Sequence, residues 1–564
     1  MFETIRDLLE KRLGSAEFEF GPPSPPAGGS SRGHFATNAG FVLASIEKKS
    51  PAEAAGELKK YLEDESPKGF IEKIEIAGAG FLNIWLTSGA IQSEFKKIAK
   101  EKPFFAKATE GKKRIIVEYS QPNIAKPMHV GHLRSTIIGD ALANILEFAG
   151  DKVVRWNYLG DWGTQFGKLI VAYRKWGDDE KIEKDPINEL NDLYVRFHKE
   201  VDSNPKLEDE AREEFKKLED GDRENRKLWE KFKEESLKEF GEMYEVLGIK
   251  FDEWIGEAFY EKEMGPLTEK LTKSGIAKMS EGALVVPLDE KGLPPGLIRK
   301  SDGATLYLTR DIANLEYRIK KYKADTILYV VDNGQSLHFE QLFAIAEKTG
   351  LEFNASHIKF GLVLSEDMKK LSTRAGRHIS LKGVIDESVS RARKVVDEKQ
   401  PDLNEEEKAQ IAKVVGIGAL KYNDLSQNRQ SDIAFNWDKM LSLEGNSGPY
   451  LQYTYTRLAS ILGKAGRIGK LKESELQSEP DINLILKLAM FPETIHTVTE
   501  NYFPHYLANY LYNLAREANA YYEKEPVLKA EGDLRDARLH LVKAVAETLK
   551  TGLGLLGIGT VERM

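Results

Sequence analysis

The 564-residue chain contains no cysteine. This absence excludes disulfide bonds and any zinc site that depends on thiolate ligands. The chain also lacks an apolar run of about 20 residues, the length that a helix needs to cross a bilayer. Its first residues, MFETIRDLLEKRLG, mix acids with bases, which is unlike a secretory signal or an acid-poor transit peptide. We therefore expect a cytoplasmic protein with no membrane association.

A surplus of positive charge is missing as well. The chain has 82 Lys and Arg against 90 Asp and Glu, giving a net charge of −8 and a pI of about 5.9. Bulk charge thus does not indicate a nucleic-acid-binding protein, and we expect no DNA partner. Any RNA would have to be met by local basic surface. Length and composition predict a globular chain of roughly three to four domains.

One stretch, from Ser120 to Gly167, carries more information than the rest. It follows an apolar run, RIIVEY, that predicts a strand, and it contains apolar residues at helical spacing from Leu133 onward. Between these two elements lies His129-Val130-Gly131-His132. A helix start offers unpaired N–H groups and partial positive charge, Gly131 permits close approach of a ligand, and imidazoles can hydrogen-bond phosphate oxygens. The pattern predicts a phosphate-binding loop.

Further along the chain, buried strands alternate with helices, which predicts a parallel sheet covered on both faces. The predicted strands are 114–119, 152–158, 325–331 and 358–364. A charged helical insertion, from about 172 to 300, interrupts the alternation, and we interpret its charges as a solvated face. The last 120 residues are almost entirely helical in pattern. Nine of the 21 tyrosines fall between Tyr450 and Tyr522, where they can pack a bundle or stack on unpaired bases.

Several segments together resemble the arginyl-tRNA synthetase family, which belongs to the class I aminoacyl-tRNA synthetases. The resemblance covers nearly the whole chain. It rests on SQPN, HVGHLRST, LGDWGTQFG, KSDGATLYLTRDIA from Lys300, LHFEQLF from Leu337, LEGNSGPYLQY from Leu443 and the terminal VERM. It implies an α/β protein whose Rossmann-type parallel-sheet catalytic domain lies between an N-terminal α+β domain and a C-terminal all-α bundle. The expected boundaries are 1–108 for an additional tRNA-binding domain, 109–444 for the catalytic domain and 445–564 for a helical anticodon-binding domain.

The resemblance also implies an activity: ATP-dependent ligation of L-arginine to tRNA(Arg) through an arginyl-adenylate, with release of AMP and pyrophosphate. ATP would enter with Mg²⁺ as a substrate complex, zinc would not be needed, and monomers are usual in this family. Two alternatives remain open: another class I synthetase, such as the glutamyl or cysteinyl type, and a catalytically silent paralogue that only binds RNA. A small nucleotidyltransferase fits worst, because the end domains would be superfluous.

Recognition of arginine has a clear chemical requirement. Its guanidinium is planar and permanently charged, so carboxylates placed edge-on can accept paired hydrogen bonds from it. Buried carboxylates also reject neutral side chains, which would leave them unpaired. The resemblance implies that arginine is bound by Glu118, Asn123, Tyr307, Asp311 and Gln335, with Asn123 at the α-amino or carboxylate end.

Activation of the amino acid requires positioning and neutralisation of charge on the phosphates of ATP. The candidate catalytic residues are His129, His132, Lys126 and Lys370. The resemblance implies ATP binding by His129, Gly131, His132, His338, Lys370 and Ser372. The segment Lys370 to Gly376, KLSTRAG, resembles the KMSK loop, but Thr373 replaces its second lysine. We hypothesise that Lys126, three residues before His129, supplies the missing charge.

Contacts with tRNA are implied at both ends of the chain. Phe81 and Asn83 fit a family element that meets the tRNA elbow, and Tyr522 and Met564 match positions near the anticodon. His34 stands where a neighbouring family element usually carries an acid. The loop LGDWGTQFG from Leu159 is expected to line the adenylate pocket.

Overall fold

The computed structural model describes residues 1–21, 33–100, 112–301, 303, 306–364 and 380–564. Within these ranges, the protein has three successive units: helices on an antiparallel sheet, a parallel sheet flanked by helices, and a helical bundle. This architecture confirms the predicted fold class. None of the helices in the described ranges is both long and apolar enough to cross a bilayer.

The amino-terminal unit contains four helices and a four-stranded antiparallel sheet. Its elements are α1 Phe2–Leu13, β1 Phe20–Gly21, β2 Phe35–Thr37, α2 Ala39–Glu47, α3 Pro51–Glu65, β3 Ile71–Ala77, β4 Phe81–Leu86 and α4 Ser88–Lys100. The strand order is β1-β2-β4-β3. Phe2 on α1 stacks on Phe20 of β1 at 4.3 Å between ring centroids, which fastens the first helix to the sheet edge.

The central unit is built on a five-stranded sheet. Its strands and flanking helices are β5 Arg114–Glu118, α5 Val130–Phe148, β6 Lys152–Asn157, α6 Gln165–Trp176, β7 Glu253–Trp254, α12 Tyr307–Tyr322, β11 Thr326–Tyr329, α13 Ser336–Lys348 and β12 Ala355–His357. The order is β12-β11-β5-β6-β7, and each neighbouring pair is parallel. All five strands therefore present their carboxyl ends at one edge, where ligands bind in open α/β sheets.

The strand predicted at 358–364 does not lie in the main sheet. The main sheet instead contains β12, which ends at His357, one residue before the predicted span. Within that span, only Val363–Leu364 forms a strand, β13. β13 pairs with β14, Ile433–Ala434, outside the main sheet. Most of this apolar run is buried, as expected, although Leu362 is 42% exposed, and none of it joins the main sheet as a strand.

The sequence predicts a charged helical insertion between α6 and α12, but only part of this insertion is helical. Its elements are α7 Asp179–Lys184, α8 Pro186–Ser203, α9 Lys206–Glu219, α10 Arg223–Leu247, α11 Glu261–Lys273, β8 Lys278–Ser280, β9 Ala283–Val286 and β10 Gly296–Arg299. The last three strands form a small antiparallel sheet. Within the same range, β7 returns to the edge of the main sheet.

The carboxyl-terminal third is helical, as its sequence pattern predicts. Two long helices and a short one lead from the central unit into a bundle of five: α14 Leu381–Lys399, α15 Glu405–Leu425, α16 Trp437–Met440, α17 Gly448–Ala465, α18 Glu479–Ala489, α19 Phe491–Asn501, α20 His505–Lys524 and α21 Gly532–Leu555. α15 contacts both α5 and α17. It thus joins the central unit to the bundle.

The junction between α5 and α15 contains a buried ion pair. Arg134 on α5 donates two hydrogen bonds to the Asp424 carboxylate, at 2.9 and 3.1 Å, and a third to the Ser431 carbonyl at 2.9 Å. Both side chains are almost fully buried. Because the pair is bidentate and satisfied, it fixes the rotation of α5 relative to α15.

Removing Asp424 should therefore destabilise the central unit. In Asp424→Ala, the Arg134 guanidinium stays buried without its carboxylate, and we expect the free energy of unfolding to fall by about 3–5 kcal/mol. Urea denaturation followed by circular dichroism measures this change. Glu269→Ala, which breaks the exposed Lys273–Glu269 pair, is the matched control and should change it by less than about 1 kcal/mol. Equal effects of the two variants would contradict the assignment.

Candidate active site

The loop that follows β5 has an unusual backbone. Ser120, Gln121 and Ala125 have φ values of 75°, 53° and 59°. Left-handed conformations cost a residue with a side chain roughly 1–2 kcal/mol. Such strain persists only where the surroundings enforce it, and it concentrates at functional sites. The loop therefore marks a site at the carboxyl edge of the sheet.

The two histidines of the phosphate-binding loop cap α5. The Nδ1 atom of His129 accepts a hydrogen bond from the Gly131 N–H at 3.1 Å, and Nδ1 of His132 accepts one from the His129 N–H at 3.0 Å. The proton of each neutral imidazole then lies on Nε2, which makes that atom a donor. A Cβ at position 131 would lie 2.8 Å from the His129 ring, so the cap requires glycine there.

A cavity of about 350 Å³ opens above this helix start. Five of the predicted site residues line it: Asn123, His129, Gly131, His132 and Gln335. Asn123 is fixed beside the LGDWG loop, because its backbone bridges that of Gly160 and a Cβ on Gly160 would lie 2.2 Å from the Asn123 Oδ1 atom. The structure thus joins the predicted phosphate site to part of the predicted arginine site.

Two of the other predicted arginine ligands, Glu118 and Asp311, are carboxylates. Together with Glu257 they form a cluster that we call the acidic wall. Asp311 bonds His338 at 2.6 Å, and it lies one helical turn from Tyr307, whose side chain is 55% exposed at the start of α12. Burial opposes protonation of His338, but the Asp311 carboxylate outweighs it and raises the His338 pKa. His338 was predicted at the nucleotide, whereas here its partner, Asp311, is one of the predicted arginine ligands.

Glu118 is buried and already paired. Its carboxylate forms an ion pair with Arg318 on α12 and accepts a hydrogen bond from Gln121 at 2.6 Å. Burial raises the Glu118 pKa, Arg318 opposes the rise, and nearby Asp311 adds to it. The Arg318 guanidinium lies 4.3 Å from the centroid of the Trp156 ring. Glu118 is therefore held by a guanidinium of the chain itself.

Glu257 belongs to the same wall but was missed from sequence. Its side chain is buried, the Arg310 guanidinium is 3.9 Å away, and no described atom hydrogen-bonds its Oε2. Burial raises the pKa of Glu257 to about 8, Arg310 opposes this, and Asp311 adds to it. Its position directly after β7, at the carboxyl edge of the sheet, was the signal that could have identified it.

Lys126 follows Ala125 in the loop after β5, and it does not line the cavity. Its Nζ atom is 4.7 Å from the ring centroid of Tyr194 on α8, and burial lowers its pKa. The predicted residues of the KMSK-like loop, Lys370, Ser372 and Thr373, lie outside the described residues.

The LGDWG loop meets the cavity less than expected. The Asp161 carboxylate accepts hydrogen bonds from Lys233 at 2.6 Å and from the Ala258 N–H at 2.9 Å, and Trp162 is fully buried. Both side chains therefore face the insertion. Gly160, through its contact with Asn123, touches a residue that lines the cavity.

The predicted tRNA contacts at the amino terminus differ in exposure. Phe81 is 44% exposed and packs edge-on against exposed Phe41, whereas Asn83 is buried in the middle strand of the sheet. His34 accepts a hydrogen bond from the Leu86 N–H at 3.0 Å. The imidazole of His34, at a position where the family element usually carries an acid, thus makes a local contact with the backbone of β4.

The two predicted contacts in the carboxyl-terminal bundle lie near a second cavity of about 630 Å³. Met564 lines it, together with Tyr450, Tyr453 and Arg457. Tyr522 lies behind Arg457, whose guanidinium is 4.6 Å from the centroid of its ring. Aromatic, cationic and apolar groups therefore meet at the end of the chain.

The helix start with two histidines, at the carboxyl edge of a parallel sheet and ahead of a helical bundle, agrees with the family-model match that places the chain among the class I aminoacyl-tRNA synthetases. The family model for the class I tRNA synthetase (R) catalytic domain matches residues 94–437, the DALR anticodon binding domain matches 451–564, and the arginyl tRNA synthetase N terminal domain matches 4–86.

Individual relatives agree with these matches. The chain is 44% identical to an arginine–tRNA ligase of Fusobacterium nucleatum over 94% of its length and 93% of the relative, and 43% identical to that of Clostridium perfringens over 93% of each. It is similar in structure to Thermus thermophilus arginyl-tRNA synthetase, with a TM-score of 0.82, 28% identity and coverage of 100% and 99% of the two chains. The corresponding Plasmodium falciparum structure gives a TM-score of 0.83, with 27% identity and coverage of 100% and 98%. The chain belongs to the arginyl-tRNA synthetase family.

The contact between Gly160 and Asn123 can be tested directly. In Gly160→Ala, the new methyl group forces the Asn123 side chain to turn away from the cavity, because an amide tip can move whereas the backbone bridge holds. We expect L-arginine to bind about tenfold more weakly by calorimetry, as for a lost hydrogen bond to a charged group, with unchanged thermal stability. Gly265→Ala, where no atom lies within 4 Å of the added Cβ, is the control. Unchanged affinity would contradict the role of Asn123.

Proposed function

We infer that this chain ligates L-arginine to tRNA(Arg), consuming ATP and passing through an arginyl-adenylate. The observation that carries this inference is the acidic wall beside the capped start of α5, in a chain of the arginyl-tRNA synthetase family. A cationic amino acid and a polyanionic nucleotide can lie side by side there. A silent RNA-binding paralogue would not need buried carboxylates, and a synthetase for a neutral amino acid would be disfavoured by them.

For the amino acid, we propose a pocket formed by Glu118, Asn123, Tyr307, Asp311 and Gln335, to which the structure adds Glu257. The guanidinium would lie against the acidic wall, where Asp311 and the unbonded Oε2 of Glu257 can accept its N–H groups. Asn123 would hold the α-amino or carboxylate end near the cavity. Arginine would then compete with His338 for Asp311.

For ATP, we propose binding by His129, Gly131, His132 and His338, together with Lys370 and Ser372 of the KMSK-like loop. Mg²⁺ would accompany the phosphates as part of the substrate, and zinc would take no part. The arginine carboxylate attacks the α-phosphorus, a new P–O bond forms, and the bond to pyrophosphate breaks. His129, His132, Lys126 and Lys370 are the catalytic residues that would neutralise charge in this step. A tRNA hydroxyl then attacks the adenylate carbonyl, which releases AMP.

For tRNA, we propose contacts at Phe81 and Asn83 in an additional domain, 1–108, and at Tyr522 and Met564 in an anticodon-binding domain, 445–564. The catalytic domain would span 109–444, with the insertion at about 172–300. Exposed Phe81 and the cavity beside Met564 support their assignments. Asn83 is buried and could act only after local rearrangement. We further propose that the enzyme works as a cytoplasmic monomer with no membrane or DNA partner, because its family serves translation.

The proposed function predicts a definite result in charging assays. When total tRNA is offered with each of the twenty amino acids, we expect charging with arginine alone, because only a guanidinium satisfies the acidic wall. Arginine-dependent ATP–pyrophosphate exchange should require added tRNA, since Thr373 leaves the KMSK-like loop one lysine short. Charging with another amino acid would refute the pocket, and tRNA binding without any charging would favour the silent paralogue.

The role proposed for Lys126 is testable in the same assay. In Lys126→Ala with tRNA present, we expect kcat/KM for pyrophosphate exchange to fall about 30-fold, equal to about 2 kcal/mol for one lost phosphate contact. Lys321→Ala is a matched control, because Lys321 also lies over an aromatic ring, Tyr317, but at the far end of α12. The hypothesis would be refuted if the activity of Lys126→Ala stayed within about twofold of the wild type, which is far less than the expected loss.

A further inference from the structure

One face of α10, in the insertion, contacts both loops at the edge of the sheet. Trp229, Lys233, Ser236 and Tyr244 follow one another at intervals of four, three and eight residues, so their side chains share one side of the helix. Each makes a hydrogen bond to one of the two loops or to its side chains. We call these four residues the bracing face.

The SQPNIA loop is held at two of its left-handed residues. The Ser236 hydroxyl accepts a hydrogen bond from the Ala125 N–H at 2.8 Å, and donates its own proton to the Phe232 carbonyl at 2.6 Å. The Tyr244 hydroxyl bonds the Ser120 hydroxyl at 2.6 Å and accepts from the Asn157 amide at 3.1 Å. Ser120, Ala125, Ser236 and Tyr244 are all buried. No water is needed to complete these contacts.

The LGDWG loop is held by the other half of the bracing face. The Trp229 indole N–H donates to the Asp161 carbonyl at 2.8 Å, and the Lys233 ammonium donates to the Asp161 carboxylate at 2.6 Å. Gly160, the residue before Asp161, bridges Asn123. The helix therefore fixes Asn123 from both sides: through Ala125 in its own loop and through Gly160 in the neighbouring one.

We propose that the bracing face of α10 positions Asn123 and Lys126 for adenylate formation, which makes its members positioning residues of the reaction. This inference rests on the proposed function of the site. The physical reason is that a left-handed alanine is unfavourable by itself and a buried N–H without a partner is costly. Ser236 accepts a hydrogen bond from the Ala125 N–H. It therefore removes the cost of an unpaired donor at the same residue that has the unfavourable left-handed backbone. Without it, the loop relaxes and carries Lys126, the next residue, away from its place.

The test combines Ser236→Ala with a rescuing change. In Ser236→Ala with tRNA, we expect kcat of arginine-dependent pyrophosphate exchange to fall about tenfold, as for an orphaned buried donor, with the tRNA dissociation constant unchanged. Glycine adopts left-handed angles without strain. Ser236→Ala with Ala125→Gly should therefore recover part of the lost kcat, because it removes the left-handed strain although the N–H stays unpaired, whereas Ala125→Gly alone has little effect. Ser203→Ala, which removes an exposed hydroxyl that also bonds a carbonyl, is the matched control.

A second readout does not depend on activity. Hydrogen–deuterium exchange of the peptide 120–128 should speed up about tenfold in Ser236→Ala and not in Ser203→Ala, while the rest of the sheet keeps its protection. Uniform loss of protection across the chain would reduce Ser236 to general packing and overturn the proposal. So would unchanged exchange at 120–128, or a double variant as impaired as Ser236→Ala. If the wild-type chain lacked arginine-dependent activity, the proposed function would fail, and deuterium exchange would still decide whether α10 braces the loop.

Discussion

Carboxylates buried close together impose the constraint on which the rest of this site depends. Glu118, Asp311 and Glu257 converge at the edge of the sheet, and burial with mutual repulsion raises the pKa of Glu118 and of Glu257. A fold can keep such acids ionised only by supplying cations or donors. Here Arg318 is fully buried against Glu118, and His338 bonds Asp311. Two of the three carboxylates are therefore paired before any substrate arrives.

The compensation is incomplete at Glu257. Arg310 stays at 3.9 Å, beyond hydrogen-bonding distance, and Oε2 of Glu257 has no hydrogen-bond partner in the described part of the chain. A planar guanidinium with five N–H donors is the group best suited to complete this arrangement, whereas a lone ammonium is not. In the proposed pocket, the incompletely paired Glu257 would therefore favour arginine over a lysine side chain. Glu118, which already has a guanidinium partner, would contribute negative potential and shape to that pocket more than an open acceptor.

Much of this structure could be predicted from sequence, but not the partners of its buried polar groups. Three of the four predicted strands and the helix start at His129 follow from apolar periodicity, which depends on local sequence. Arg318 stands in RIKKYK, a run that reads as exposed, yet its guanidinium is buried against Glu118, 200 positions earlier. Asn83 looked like a surface contact and lies in the middle of a sheet. Glu257 follows β7, a strand of only two residues that apolar periodicity does not identify. Such pairings depend on tertiary contacts that periodicity does not encode.

Buried polar partners also connect α5 to the other units, because its first turn faces the cavity and its later turns contact the carboxyl-terminal helices. Asp140, three turns into α5, faces Lys421 of α15, and the Lys421 ammonium donates to the carbonyls of Leu247 and Gly557, each at 2.7 Å. Gly557 is close enough that a Cβ there would lie 2.7 Å from the ammonium and 2.8 Å from the Asp140 carboxylate. A charge buried in this way cannot lose its partners without a large penalty. The carboxyl-terminal turn, seven residues before Met564, therefore cannot shift without disturbing either Lys421 or α5. The carboxyl-terminal turn at Gly557 is thus connected to α5 through Lys421, and a movement that separates the two must break these contacts.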